Sequence, residues 1–222
     1  MAKDKKCVER MTAINNKDFK TQTIIKCYQI NLQHSKSATD NLMELIKKEE
    51  IDVAFIQEPY TIHNKVVGIT KRYRTFTSSV GRSRTATVVT NNQIDALLIQ
   101  EVTDKDTVVV ELILRNLKFY AANMYLDITE QLDKTNELIN DILQLANTSG
   151  LLITMDSNSR SRTWHDKLTN GRGEKLEFLI SKQLFIMNED SEMKTFQSNR
   201  GSSNIDLTIS NNTTERSTGV EN

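Results

Sequence analysis

Apolar residues along this chain recur with two different periods, and the switches between them mark the elements. Residues 23–30 (Thr-Ile-Ile-Lys-Cys-Tyr-Gln-Ile) are rich in β-formers and predict a strand. Ala38, Leu42, Leu45 and Ile46 then fall at helical spacing. Ser37 with Asp40 three residues on resembles a capping box, which predicts a helix over 37–50. A short strand over 52–56 is closed by Gln57-Glu58-Pro59, because Pro59 has no N–H to give to a ladder. The middle of the chain is β-rich, with strands expected over 84–90, 94–101, 107–114 and 117–124. Asn91-Asn92 and Arg115-Asn116 are candidate hairpin turns. Leu132, Leu138, Ile139, Ile142, Leu143 and Ala146 predict a helix over 130–146. After Gly150 an apolar run, Leu151-Leu152-Ile153-Thr154-Met155, ends abruptly in Asp156-Ser157-Asn158. A helix over 173–182 and short strands near 184–187, 195–197 and 205–209 complete the pattern.

Composition narrows this outline. The 222 residues are 37% hydrophobic, enough for one sizeable core, and one Pro and seven Gly leave little to build a linker from. The expectation is therefore one domain over 23–210, a loosely ordered polar extension over 1–22 and a polar tail over 211–222. Lys plus Arg equals Asp plus Glu at 29 each. A polyanion must then be met by a local basic patch rather than by net charge. Cys7 and Cys27 are too few for a disulfide framework, which points to a reducing compartment. No apolar segment is long enough to span a membrane, so no membrane partner is expected, and the start of the chain does not read as a secretory signal.

The candidate chemistry sits at the ends of the apolar runs. Asn31, Glu58, Tyr125, and Asp156 with Asn158 each follow directly on a strand-like segment. If those strands lie side by side in packed sheets, their ends share one rim. Two carboxylates, two amides and a phenol there form a set of hard donors suited to Mg2+, which keeps several waters and needs only one or two carboxylates. A cation so held activates water and offsets charge on a phosphodiester. The His and Cys residues show no zinc spacing, and no glycine-rich phosphate or dinucleotide loop is present. Taken singly, each tip also has a structural reading: a cap, a surface ion pair, a core tyrosine with a wet hydroxyl. Basic residues gather in Lys71-Arg72-Tyr73-Arg74, Arg82 with Arg84, Arg160 with Arg162, and Arg172 with Lys175. They either neutralise phosphates or keep loops soluble. Trp164 either wedges against bases or deoxyribose or belongs to the core.

The motifs Asn31-Leu32-Gln33, Gln57-Glu58-Pro59, Asn123-Met124-Tyr125, Asp156-Ser157-Asn158 and Ser203-Asn204-Ile205-Asp206 resemble, in order and spacing, those of the endonuclease/exonuclease/phosphatase superfamily. The run Ser159-Arg160-Ser161-Arg162-Thr163-Trp164 makes the chain look most like the apurinic-type endonuclease domain of non-LTR (LINE-like) retrotransposons. That resemblance implies an α/β fold, a four-layer sandwich of two packed mixed β-sheets flanked by helices. It also implies Mg2+-dependent hydrolysis of DNA phosphodiesters, with Mn2+ as the alternative ion. Glu58 would bind the metal with Asn31 nearby. Asp156 would orient or deprotonate the attacking water, and Asn158 would position phosphate and water. Tyr125 would stabilise charge on phosphate, and Asp206 would order the site. Ser203 would contact the DNA backbone, and Arg160, Arg162 and Trp164, which flank the proposed site in sequence, are the further residues expected to contact DNA. In that branch the nick primes reverse transcription of the element's RNA, so the resemblance further implies a reverse-transcriptase domain in a parent polyprotein and a nuclear location.

Two departures shape the expectation. Met155 stands where the family usually has Gly, and its side chain would either crowd the strand tip or be harmless. The family's closing Ser-Asp-His motif does not occur before Asn222. The expectation is thus a fold lacking its last C-terminal strand and a chain that is a fragment of a polyprotein or a truncated copy. The alternatives are a catalytically dead remnant and a relative acting on another phosphoester.

Overall fold

Side chains on a strand point alternately to opposite faces, and most of the strands here are buried on both. Two sheets sharing an interior, each covered by helices on its outer face, satisfy that pattern. The computed structural model describes residues 24–115, 117–180, 184–190, 194–198 and 201–211. In chain order they form β1 (Cys27–Asn31), α1 (Lys36–Glu49), β2 (Val53–Gln57), β3 (Thr61–Ile62), β4 (Lys65–Val66), β5 (Arg74–Phe76), β6 (Thr85–Val89) and β7 (Asp95–Leu98). There follow β8 (Thr107–Leu114), β9 (Leu117–Tyr125), α2 (Asp133–Ala146), β10 (Gly150–Asp156), α3 (Gly171–Ile180), β11 (Leu184–Ile186), β12 (Phe196–Ser198), β13 (Gly201–Ser203) and β14 (Asp206–Asn211). The extension expected over 1–22 and the tail beyond Asn211 lie outside the described residues.

One sheet has the order β1-β2-β6-β5 and the other β11-β14-β10-β9-β8-β7, while β3-β4 and β12-β13 are separate hairpins. The β1–β2 and β9–β10 pairs are parallel, crossed over by α1 and α2; the other pairs are antiparallel, so both sheets are mixed. Three apolar clusters separate four layers. Leu42 and Ile46 of α1 pack on Tyr28, Ala54, Ile56, Ala86 and Val88. Phe55, Val89, Val110, Ala121 and Leu152 fill the seam between the sheets. Ile139 and Ile142 of α2 and Leu176 of α3 cover Ala122, Met124, Ile153, Met155 and Leu207 on the far side. This is the four-layer α/β sandwich expected.

Several local expectations are corrected. The cap of α1 is Ser35, whose hydroxyl accepts from the Ala38 N–H at 3.2 Å; Asp40 instead pairs with Lys36 one turn away. Asn91-Asn92 is not a hairpin turn, because β6 and β7 belong to different sheets and the segment crosses between them. The strand expected over 94–101 stops at Leu98 and is followed by a 3-10 turn, Gln100–Val102. The β3–β4 hairpin, β5 and β13 are additional; strands of two or three residues are too short to leave a readable period. Met155 does not crowd the strand tip. It points away from Asp156 and is fully buried beneath the helices. No helix among the described residues is long and apolar enough to cross a membrane.

Candidate active site

Toward one rim of the inter-sheet seam the buried side chains change from apolar to polar. Cys27, Val53, Val89, Phe119 and Leu152 occupy the far part. Two residues on along each strand come Gln29, Phe55, Thr87, Ala121 and Thr154, and then, at the strand ends, Asn31, Gln57, Thr85, Asn123 with Tyr125, and Asp156. Register sets the rim. Asp156 stands opposite Tyr125 on one side and Asp206 on the other, so β9, β10 and β14 present them in one row. In the smaller sheet Asn31 stands opposite Gln57, the residue before Glu58. The two rows meet where Asn31 Nδ2 donates to Asp156 Oδ2 at 2.7 Å, joining residues 125 positions apart. Asn31 Oδ1 accepts from the Gln33 N–H at 2.8 Å, which fixes the amide's orientation.

The chain reverses sharply at both carboxylate-bearing strand ends. Glu58 has φ 47°, an unfavourable conformation for a long side chain. It is held by its N–H donating to Arg84 O and its carbonyl accepting from the His34 N–H, each at 2.8 Å. Asn158 has φ 46°, which asparagine tolerates. Its N–H donates to Asp156 Oδ1 at 3.3 Å and its Nδ2 to Leu126 O at 3.1 Å. Ser157 anchors the same turn, its N–H and hydroxyl both donating to Ile205 O beside Asp206.

Electrostatics agree with this convergence. The Tyr125 phenol is pushed up to about 12, chiefly by burial and then by the negative charges of Glu58, Asp156 and Asp127, with Arg84 opposing. Glu58, which sequence alone left open to a lysine pair, has the ring of His34 at 3.7 Å instead. His34 is tied through Nδ1 to Pro59 O at 3.0 Å. Its place beside the site follows from consecutive left-handed residues, Gln33 and His34, that turn the chain after β1. Composition carries no signal for that turn.

The structure therefore brings Asn31, Glu58, Tyr125, Asp156, Asn158 and Asp206 to one rim. The four residues expected to touch DNA are placed otherwise. Trp164 is corrected outright: its side chain is 0% exposed, and its indole N–H donates to Asn204 O at 3.1 Å, so it is core and offers DNA no surface. Arg160 is engaged with the buried Asp166, through Nε at 2.9 Å and Nη2 at 2.8 Å. Arg162 is exposed in a 3-10 turn. Ser203 lies on the β12–β13 hairpin, opposite Phe196 and outside both large sheets. Arg84 and Arg172, which the sequence placed in basic clusters, and Asp127, which it did not single out, brace the loops around the rim. Arg172 Nη2 and Nη1 donate to Asp127 O at 2.9 Å and Glu130 O at 2.7 Å. Asp127 is held far below the usual carboxylate range by hydrogen bonds from Thr129 and by Arg84.

Two packed mixed sheets between helices, with this polar rim at the ends of their strands, define the endonuclease/exonuclease/phosphatase class of proteins. The solved endonuclease domain of TRAS1, a telomere-specific non-LTR retrotransposon, superposes with a TM-score of 0.75 at 25% identity, covering 84% of each chain. The family described as Endonuclease-reverse transcriptase matches residues 119–222. The Pol polyprotein of the type-1 retrotransposable element R1 from Bradysia coprophila is 26% identical over 162 residues, 68% of this chain. A putative 115 kDa protein of element R1DM from Drosophila melanogaster is 23% identical over 192 residues, 82% of this chain. The matches span 16% and 19% of those two relatives' lengths. Over these stretches the chain is similar to the endonuclease parts of non-LTR retrotransposon proteins, and its fold is that of the endonuclease/exonuclease/phosphatase class.

Proposed function

We propose that this domain hydrolyses DNA phosphodiester bonds with Mg2+, and that it nicks target DNA within a parent polyprotein that carries a reverse transcriptase and works in the nucleus. The observation that carries this reading is the Asn31–Asp156 hydrogen bond, which closes the rim with Tyr125 and Asp206 in register beside it.

The donors fit a hard cation. The rim offers carboxylate and amide oxygens, and the Tyr125 phenol there is raised first by burial and then by the negative charges of Glu58 and Asp156. Among the described residues no group of three or more His, Cys, Asp and Glu able to hold a metal is found. A magnesium ion that keeps its waters needs one or two carboxylates, which Glu58 and its neighbours supply, with Asn31 Oδ1 alongside. When bound, the ion offsets charge on the phosphate and acidifies water. The protein's own groups do the rest. Asp156, its Oδ2 fixed by the Asn31 amide, takes a proton from the attacking water or aims it. Asn158 orients phosphate and water, the neutral Tyr125 hydroxyl donates to the phosphoryl oxygen, and Asp206 supports Asp156 from the next strand.

Supercoiled plasmid incubated with the protein and Mg2+ is expected to give nicked circles, and Asp156→Ala is expected to abolish them. Nicking that persists undiminished in Asp156→Ala would refute the assignment.

A further inference from the structure

Arg84 follows the β5–β6 connection and leads into β6, and more of the rim touches it than any expectation from sequence allowed. Its backbone carbonyl accepts from the Glu58 N–H at 2.8 Å, and its own N–H donates to Lys105 O at 2.6 Å, ahead of β8. Its guanidinium, 19% exposed, grips both oxygens of Asp106, with Nη2 to Oδ2 at 2.6 Å, and pairs through Nη1 with Asp127 Oδ2. Nη2 also reaches Glu130 Oε1 at 3.4 Å. The guanidinium carbon lies 5.1 Å from the centroid of the Tyr125 ring.

Two roles are open to an arginine at such a rim: a ligand for a DNA phosphate or a brace. The geometry decides between them. The fork is occupied by carboxylates, and Asp106, Asp127 and Glu130 present negative charge to any phosphate approaching it. The planar cation over an aromatic face is, by contrast, an attractive contact that fixes the ring. Resting on the endonuclease reading, we infer that Arg84 is a positioning residue: pinned by Asp106 and Asp127, it clamps the ring of Tyr125 from one face and keeps the phenol beside Glu58 and Asp156. A lysine has neither the fork nor the flat face and does not replace it.

The test is a double-substitution cycle on plasmid nicking. Arg84→Met and Arg84→Lys are made in the unsubstituted chain and in Tyr125→Phe, with thermal melting of each to establish folding. In the unsubstituted chain both substitutions are expected to lower kcat by roughly 10²-fold, the scale of a 1 Å misplacement. KM and the salt dependence of DNA binding are expected to stay unchanged. In Tyr125→Phe the same substitutions are expected to cost less than about threefold, because residues acting through one another are non-additive. Equal losses in both backgrounds overturn the inference. So does a decrease of about one in the salt slope of binding, the mark of a lost phosphate contact. If neither Arg84 variant folds, NMR of the unsubstituted chain labelled with 13C-tyrosine decides, through cross-relaxation between the Tyr125 ring and the Arg84 Cδ protons; its absence overturns the inference. Absence of nicking by the unsubstituted chain sinks the endonuclease reading, an outcome separate from additive losses in a chain that nicks.

Discussion

Tyr125 sits in the field of three carboxylates, Glu58, Asp156 and Asp127, with a single guanidinium against its ring. A phenol pushed up to about 12 remains a donor across the whole working range. Tyr125→Phe is expected to lower nicking by about 10²–10³, the loss typical of one preorganised donor at a developing negative charge. The shift has a second, activity-independent consequence. The folded phenol binds its proton more tightly than an unfolded one at about 10, so its contribution to stability is full below pH 10 and lost as pH rises toward 12. Absorbance titration near 295 nm should show no difference between the unsubstituted chain and Tyr125→Phe at pH 10.5, where ordinary tyrosines are ionising. A difference of one phenolate there would contradict the placement. At this scale the sequence made the strand-end residues visible, because a polar side chain directly after an apolar run stands out. Arg84 and Arg172 stood out only as members of basic clusters, and their bracing role was not visible, since the same residue types serve equally on a solvated loop.

The segment between β10 and α3 shows how an element acquires a shape its composition does not announce. Asp166, buried, gathers Arg160 and the N–H groups of Leu168 and Asn204. Asn170 accepts from the Gly173 N–H at 2.7 Å at the start of α3, and its own N–H donates to Arg160 O at 3.0 Å. Gly173 is the tightest point: a Cβ there would lie 2.0 Å from Arg160 O and 2.8 Å from its carbonyl carbon. Backbone cannot swing aside as a flexible side chain can. Gly173→Ala is therefore expected to destabilise the fold by about 1–3 kcal/mol or more, as overpacking does, despite alanine's better helix propensity. Thermal melting checks this, and an unchanged midpoint would show that α3 and the loop are not packed so closely. Trp164 and Arg160 belong to this element. Both carry chemistry suited to DNA, and only the folded loop reveals that one is core and the other already engaged.

At the scale of the whole molecule the site depends on how the two sheets are held together. Asn123, fully buried, accepts from Gln57 Nε2 at 2.6 Å and donates to Ala86 O at 2.9 Å and Ile56 O at 3.1 Å, so one side chain on β9 ties the larger sheet to β2 and β6. Asn123→Ala removes three buried hydrogen bonds, and at a net of about 1 kcal/mol for each it is expected to cost roughly 3 kcal/mol. Urea unfolding measures this as a lower midpoint. Nicking is expected to fall as well, since the Asn31–Asp156 contact spans the same seam. A variant with unchanged stability would mean that the apolar part of the seam alone sets the spacing of the sheets.

The sequence by itself determined the local elements with a clear period, and the fact that polar residues cap several apolar runs: those are written in alternation and in abrupt changes of polarity between neighbours. It did not determine that Asn91-Asn92 crosses between sheets, that Ser35 rather than Ser37 caps α1, or that His34 and Arg84 face the rim. Those outcomes rest on strand pairing and packing between segments far apart in the chain. Such contacts form only when loop entropy is offset by burial over the whole domain, and no local window of residues contains that balance.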